Sequence, residues 1–251
     1  MIRRFTTPTL AAILLSAGTA QAEIFADYHQ YTVGDKTFEG YVATNTAIEP
    51  KGTVLIVHDW DGMTEYEERR AEMLAELGYT AFAIDVYGAD EDPQSTEENL
   101  ALSGALYEDR ETFRERLMGS IAEAGNIPGA TGGMVMTGYC FGGAAVLEAA
   151  RAGADLDGFV SFHGGLGTPE GQDYSQTSAP VMLFHGSADP VSGMGELAAL
   201  LDQLQAAGVA HGAEVFGGAR HSFTVFGSND YDLDADQGAW QGLQGFLQAN
   251  L

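Results

Sequence analysis

The chain has little of several residue types, and each shortage argues against a class of protein. It holds one cysteine, Cys140, in 251 residues, so no intrachain disulfide can form and a disulfide-stabilised fold is excluded. Only 11 lysines and arginines stand against 36 aspartates and glutamates, which gives a formal net charge of −25. This charge argues against nucleic acid and anionic membranes as partners. We interpret the excess of acidic residues as a solvated surface typical of proteins from salty environments. The alternative is that the charge serves to attract a cationic substrate.

Long apolar runs are also missing. The run Leu10–Leu15 is too short to span a bilayer. It follows the basic pair Arg3-Arg4 and precedes Ala20-Gln21-Ala22, a pattern typical of a secretory signal peptide. We therefore expect a signal peptide over residues 1–22, cleaved after Ala22, and one mature domain over 23–251 that is periplasmic or secreted. No cysteine lies at the cut, so we expect no lipid or other membrane anchor.

Buried strands alternate with amphipathic helices along the rest of the chain. The continuous apolar run Thr53–His58 is typical of a strand in a parallel sheet, and Thr64–Glu67 is a capping box that opens a helix. Further strands are predicted at 26–31, 37–43, 80–85, 134–139, 156–162, 181–185 and 213–216, and helices at 95–124 (with a break near 108), 141–152, 192–207 and 238–249. This alternation predicts a single α/β domain, doubly wound, with a mostly parallel sheet and helices on both faces. Ligands bind such sheets at the carboxyl ends of the strands.

The most informative stretch is Met134–Val146, in which Gly138 and Gly142 flank Cys140. The G-x-C-x-G spacing is that of a nucleophile elbow with sulfur in place of the serine hydroxyl. A side chain that projects from a tight strand-to-helix turn needs glycine neighbours, because their Cβ atoms would collide. The helix that follows directs free N–H groups at Cys140, which favours the thiolate. The alternative is a buried structural cysteine.

Two later residues complete a hydrolytic arrangement. Asp189 and His221 each follow a predicted strand, and the order nucleophile, acid, histidine is that of α/β-hydrolases. We expect His221 to accept the thiol proton and Asp189 to orient its ring. The alternatives are that Asp189 is only a turn residue and that His221 is an ordinary hydrogen-bonding histidine. The N–H groups of Phe141 and Trp60 are the expected oxyanion donors.

Other residues near strand ends have less certain roles. His163 and His185 are either pocket residues or structural histidines. The predicted pocket residues are Tyr139, His163, Tyr87 and Phe223, and the segment 86–133 is expected over or beside the pocket. His58, Asp59 and Asp61 could suggest a metal, as could the acidic run 230–236. That run lacks the glycine and distal glutamate of a calcium loop, so we expect no metal and interpret it as a solvated approach to the last helix.

Five motifs together resemble those of the dienelactone hydrolase family of α/β-hydrolases. They are HDWDG at 58–62, AIDVYG at 83–88, GYCFGG at 138–143, SADPV at 187–191 and ARHSF at 219–223. The resemblance implies hydrolysis of esters or lactones by a Cys–His–Asp triad without a cofactor. It also implies that Asp59 stands where the family carries a glutamate that contacts the resting thiol and gates its ionisation. Asp59 is one methylene shorter, so direct contact, action through water and a loop-shaping role all remain open.

The family's type enzymes also hold the carboxylate of a dienelactone with two arginines. The corresponding segments here are Gly88–Glu91 and Ser222–Val225, and neither contains an arginine. We therefore expect a neutral small-molecule ester or lactone as the substrate of a monomer or weak homodimer. The alternative is a non-hydrolytic binding protein or thiol sensor of the same fold.

Overall fold

The computed structural model describes residues 23–251, so the predicted signal peptide lies outside the described residues. Strands and helices alternate as the sequence predicts. The strands are β1 (Ile24–Val33), β2 (Lys36–Asn45), β3 (Thr53–Val57), β4 (Thr80–Ile84), β5 (Met134–Tyr139), β6 (Gly158–Phe162), β7 (Val181–Gly186) and β8 (His211–Phe216). The helices are α1 (Glu65–Glu76), α2 (Thr96–Glu108), α3 (Arg110–Ala124), α4 (Phe141–Arg151), α5 (Met194–Ala207) and α6 (Leu233–Asn250). Within 23–251, no helix is long and apolar enough to cross a membrane.

The eight strands of residues 23–251 form one sheet, in the order β1-β2-β4-β3-β5-β6-β7-β8. The strands from β4 to β8 in this order pair in parallel, whereas β1 and β2 add an antiparallel edge. The predicted α/β fold with a mostly parallel sheet is confirmed. The chain runs from β3 to β4 on one side and returns to β5 on the other. The carboxyl ends of β3 and β5 therefore border the crevice in which doubly wound sheets bind ligands.

Helices cover both faces of the sheet and bury two apolar cores. One core joins the sheet to α2, α3, α4 and α5, and the other joins it to α1 and α6. All residues of β3, β4 and β6 are buried, as expected for strands covered on both sides. Every residue of α4 is buried too. The helix that follows Cys140 is therefore held firmly against the middle of the sheet.

The helix boundaries follow their caps. Thr64 and Glu67 form the predicted capping box of α1. At α2, the Ser95 side chain accepts from the Glu98 N–H. The Glu98 carboxylate accepts from the Gln94 N–H and not from the Ser95 N–H, so α2 has an N-cap but no complete capping box. The predicted break near 108 is present, because Asp109 ends α2 and caps α3.

The last helix begins earlier than predicted. Asp232 caps α6 by accepting from the Ala235 N–H, and Asp234 and Asp236 lie in the first turn. Carboxylates stabilise that end of a helix through its dipole. The interpretation of the acidic run as a solvated approach was wrong at Asp236, which is buried and paired with Arg70. The run is thus the start of the helix itself.

Candidate active site

Cys140 lies at a sharp turn between β5 and α4. Its backbone has φ 50° and ψ −108°, in a region that non-glycine residues rarely adopt. A Cβ atom on Gly138 would lie 2.3 Å from the Gly142 carbonyl oxygen, and one on Gly142 would lie 2.1 Å from the Val57 oxygen. Both contacts are too close for any side chain. The two glycines therefore allow the elbow to fold and to pack against β3.

The structure brings Cys140, His221 and Asp189 into one hydrogen-bonded chain. His221 Nε2 lies 2.9 Å from Cys140 Sγ, and His221 Nδ1 lies 2.7 Å from Asp189 Oδ2. The second Asp189 oxygen, Oδ1, accepts from the N–H groups of Val191 and Ser192, at 2.7 and 3.1 Å. These contacts fix the carboxylate, which in turn fixes the imidazole. The arrangement can carry a proton from sulfur to Nε2 while the carboxylate stabilises the imidazolium.

Asp189 remains ionised within this chain. Burial acts to raise its pKa, but the hydrogen bonds from His221 and from the two N–H groups outweigh burial. The pKa of Asp189 is therefore below its ordinary value. An ionised carboxylate is the form required to orient and stabilise an imidazolium.

The Cys140 thiol, in contrast, is held in its protonated form. Burial and the adjacent carboxylate of Asp59 raise the pKa of Cys140 well above its ordinary value, and the Phe141 N–H opposes them only in part. The Phe141 N–H at the start of α4 lowers the pKa of the thiol, the direction expected of a helix terminus, but the opposing effects are larger. Desolvation and a like charge outweigh one helix terminus.

Asp59 contacts two groups of the site. Its carboxylate lies close enough to Cys140 to raise the pKa of the thiol, and its Oδ1 accepts from the Trp60 N–H at 2.6 Å. The second contact gives Asp59 a role in shaping the loop, and the first places its charge beside sulfur. Burial raises the pKa of Asp59 to about 6. One of the two expected oxyanion donors, the Trp60 N–H, is therefore occupied by Asp59.

Glu67 holds the loop after β3 in place, through a contact that the sequence did not predict. Its Oε1 accepts from the Asp59 N–H at 3.2 Å, and its Oε2 accepts from the N–H and hydroxyl of Thr64, at 3.0 and 2.7 Å. Burial raises the pKa of Glu67 to about 8. The capping box identified Glu67 as a helix cap. Its second contact, to the loop after β3, depends on tertiary packing.

The predicted pocket residues are buried. Tyr139 and Phe223 belong to the apolar core on the side of α1 and α6, where Tyr139 stacks on Phe162, and His163 is buried as well. Their contact with substrate stays a prediction. Tyr87 is also buried, and its hydroxyl donates to the Trp60 carbonyl at 2.8 Å. Large aromatic residues next to a motif satisfy the core more often than they face solvent.

A different aromatic residue lies beside the elbow. Tyr107, on α2, is 37% exposed. Its ring contacts that of Phe141 with centroids 5.3 Å apart, and the Arg110 guanidinium lies 4.9 Å from its centre. The segment 86–133 thus reaches the site through Tyr107, as predicted for a segment beside it. The helical periodicity of this segment does not distinguish Tyr107 as a residue that lies beside the site.

The other histidines have structural contacts. His58 donates from Nδ1 to the Asp59 carbonyl at 2.6 Å and accepts at Nε2 from the Val86 N–H at 3.2 Å. His185 donates from Nε2 to the Ser192 carbonyl at 2.8 Å. Across residues 23–251, no group of three or more histidine, cysteine or acidic side chains is arranged to hold a metal ion.

Comparisons with known proteins identify the family and the fold. The family model for the dienelactone hydrolases matches residues 38–251. A search of the curated proteins found no match. Among solved structures, m3DLH is 25% identical with a TM-score of 0.85, over 91% of this chain and 99% of its own. A dienelactone hydrolase-like promiscuous phosphotriesterase from metagenomic libraries is 28% identical with a TM-score of 0.84, over 92% and 99% of the two chains.

A third structure extends the likeness of fold alone. The dienelactone hydrolase from Anabaena variabilis is 21% identical with a TM-score of 0.69, over 91% of this chain and 99% of that one. The family match, in contrast, spans nearly the whole described chain and includes every residue of the Cys140–His221–Asp189 arrangement. The chain is thus a hydrolase with the α/β-hydrolase fold, and it belongs to the dienelactone hydrolase family.

Proposed function

We propose that the chain is an exported hydrolase that cleaves neutral carboxylic esters or lactones, with Cys140 as the nucleophile. The observation that carries the proposal is the hydrogen-bonded chain from Cys140 Sγ through His221 to Asp189, with distances of 2.9 and 2.7 Å. It lies at the carboxyl ends of the strands, where this fold binds ligands. Nucleophile, base and orienting acid within hydrogen-bond reach are the minimum for acyl transfer.

The reaction begins from a protected resting state. The thiol is protonated and lies beside the carboxylate of Asp59, which also occupies the Trp60 N–H. A substrate carbonyl oxygen that takes this N–H displaces the carboxylate. The displacement moves a negative charge away from sulfur and lowers the pKa of the thiol, so its proton passes to His221 Nε2. Substrate binding and activation of the nucleophile are in this way coupled.

Acyl transfer then proceeds in two balanced steps. The Cys140 thiolate attacks the carbonyl carbon, and the oxyanion of the tetrahedral intermediate accepts from the N–H groups of Phe141 and Trp60. The intermediate collapses to a thioester as the alkoxide leaves with the proton from His221. Water, deprotonated by His221, attacks the thioester and releases the carboxylic acid. The proton returns to sulfur, and the enzyme is regenerated.

The charge distribution supports a neutral substrate. The two segments that would supply the family's carboxylate-binding arginines contain none. Arg220, the cation next to His221 in sequence, is half exposed and paired with Asp230 at 2.8 Å. The net charge of −25 disfavours the approach of an anion. Export is supported by the signal-peptide pattern of residues 1–22 alone.

A phosphotriester is a second candidate substrate class. The phosphotriesterase found among the similar structures is described as promiscuous and is 28% identical to this chain. A neutral phosphotriester presents an electrophilic phosphorus and a phosphoryl oxygen where an ester presents carbon and a carbonyl oxygen. The same thiol and the same N–H donors suit both.

Turnover of neutral chromogenic esters of increasing acyl length, with a neutral phosphotriester in the same panel, tests the proposal. We expect the wild type to hydrolyse at least one ester and Cys140→Ala to be at least 10³-fold slower. A wild type as inert as the variant on every ester would remove the ester proposal. Undiminished hydrolysis by Cys140→Ala would assign the nucleophile to another residue.

Export is tested separately. Expression of the full chain in a Gram-negative host should yield periplasmic protein with Glu23 at its N-terminus. A full-length product retained in the cytoplasm would contradict the proposal.

A further inference from the structure

His163 is a fully buried histidine with a left-handed backbone, at φ 38°, directly after β6. It accepts at Nδ1 from the Cys140 backbone N–H at 3.2 Å, a donor that is shared with the Phe162 carbonyl at 3.0 Å. Its Nε2 lies 2.8 Å from Thr224 Oγ1. One imidazole thus connects the main chain of the elbow to a threonine on another loop.

These contacts determine where the proton of the ring lies. A nitrogen that accepts from a backbone N–H carries no proton, so the neutral ring holds its proton on Nε2. That N–H donates to Thr224 Oγ1, and the threonine hydroxyl is free to donate to the Tyr66 hydroxyl at 2.7 Å. The opposite tautomer would place two N–H groups face to face at Cys140. The Cys140 N–H therefore determines the tautomer, and the Thr224 hydroxyl, which can donate or accept, pairs with the Nε2–H that results.

The same contacts reach the general base. Thr224 lies three residues after His221 in the same loop, and the rings of His163 and His221 meet edge to face with centroids 5.5 Å apart. Arg70 anchors the loop by donating to the Thr224 carbonyl at 2.9 Å and to the Tyr66 hydroxyl at 3.2 Å. The nucleophile and its base are thus aligned from beneath by one buried network.

We propose that His163 is a positioning residue for the reaction: its Nδ1 accepts from the Cys140 N–H and its Nε2–H is paired with Thr224, so that the ring aligns the Cys140 backbone with the His221 loop. The inference rests on the proposed function, because it takes Cys140 as the nucleophile. Burial and the nearby His221 keep the pKa of His163 well below its ordinary value. The ring is therefore neutral throughout the working range, and only its tautomer is in question.

The tautomer is tested directly by ¹⁵N NMR of the imidazole nitrogens in the wild-type protein. We expect a pyridine-like Nδ1 and a pyrrole-like Nε2 at His163, unchanged between about pH 5 and 9. This readout does not depend on turnover, so it separates the inference from the proposed function. A proton on Nδ1, or a charged ring at neutral pH, would overturn the inference even in an active enzyme.

Thr224 provides a matched pair of variants. Thr224→Val removes the hydroxyl at nearly constant volume, whereas Thr224→Ser retains it. We expect Thr224→Val to leave the His163 Nε2–H unpaired, which should lower kcat about tenfold, the equivalent of one hydrogen bond, with KM within about twofold, and shift the ¹⁵N resonance of Nε2. Thr224→Ser should match the wild type within about twofold. Equal kcat and equal NMR spectra for the two variants would remove the role of Thr224.

His163 itself provides a second pair. In His163→Asn, the amide oxygen stands close to the place of Nδ1, and asparagine tolerates a left-handed backbone. His163→Leu offers neither an acceptor nor that tolerance. We expect the asparagine variant to exceed the leucine variant in kcat by about tenfold when both are assayed well below their melting temperatures, of which that of the strained leucine variant is the lower. Equal activity in two folded variants would show that the acceptor has no role, whereas an inert wild type would refute the proposed function instead.

Discussion

At the scale of single residues, burial and the neighbouring charge of Asp59 together raise the pKa of the Cys140 thiol. The Asp59 carboxylate accepts from the Trp60 N–H at 2.6 Å, and the Asp59 N–H donates to Glu67 at 3.2 Å. These two contacts fix the charge beside sulfur. The resting thiol is therefore less reactive, and less easily oxidised, than the α4 dipole alone would make it.

Asp59→Asn should lower the pKa of Cys140, because it removes the negative charge that disfavours the thiolate while an amide oxygen still accepts from Trp60. We expect the pH midpoint of iodoacetamide alkylation to fall and the rate at pH 7 to rise several-fold, as followed by mass spectrometry. Asp61→Asn, which removes the same charge from an exposed neighbour, should change little. An unchanged or higher midpoint in Asp59→Asn would contradict the role given to Asp59.

The sequence predicted the members of the Cys140–His221–Asp189 arrangement because chain order and strand ends determine which loops meet. It did not predict the ionisation of Cys140, which depends on burial and on the distance to Asp59. Nor did it separate pocket from core, since Tyr139 and Phe223 have the same composition signal in either place. The position of Tyr107 beside the site was not predicted, because no local sequence pattern indicates which helix will pass next to it.

At the scale of secondary-structure elements, α4 is held so close to β3 that Gly142, in its first turn, tolerates no side chain. Gly142→Ala should therefore lose most of the ester turnover and several kcal/mol of unfolding free energy, because its Cβ would lie 2.1 Å from the Val57 oxygen. Gly104→Ala, within α2 and with no atom within 4 Å of the added methyl, should raise stability by about 0.5–1 kcal/mol. Urea unfolding measures both. Equal effects would show that the elbow has room to adjust.

Helices α1 and α6 are joined by the buried pair of Arg70 and Asp236. Asp236→Asn should destabilise the protein by about 3 kcal/mol, since it leaves a buried guanidinium without its counter-charge. Asp234→Asn removes an exposed carboxylate from the same helix turn and should cost less than about 1 kcal/mol. Similar losses in urea unfolding for the two variants would mean that the pair contributes little.

Helix and strand types could be predicted from apolar periodicity and caps, and their order predicted the sheet. The start of α6 could not, because the aspartates that stabilise its first turn have the composition of a loop. Only the partner on α1, Arg70, shows that one of them is buried. Element ends thus depended on contacts between distant parts of the chain.

At the scale of the whole molecule, the excess of acidic residues destabilises the folded state, because their charges repel one another. With a net charge of −25, self-repulsion should weaken as salt shortens the screening length from about 10 Å at 0.1 M to about 3 Å at 1 M. We expect the melting temperature at pH 7.5 to rise by several degrees over that range, as measured by calorimetry, and to rise less at pH 4.5, where carboxylates are partly protonated. A melting temperature that falls with salt at pH 7.5 would contradict this account.

The single sulfhydryl of the chain has a practical consequence. Because Cys140 is the chain's one cysteine, any thiol-directed reagent that enters the protein reports on the elbow and on no other position. One ¹⁹F or fluorescent tag would serve as a background-free probe that counts functional molecules in a preparation. The rate at which such a reagent labels Cys140 would report how readily the charge of Asp59 moves away from sulfur, with no other cysteine to remove beforehand.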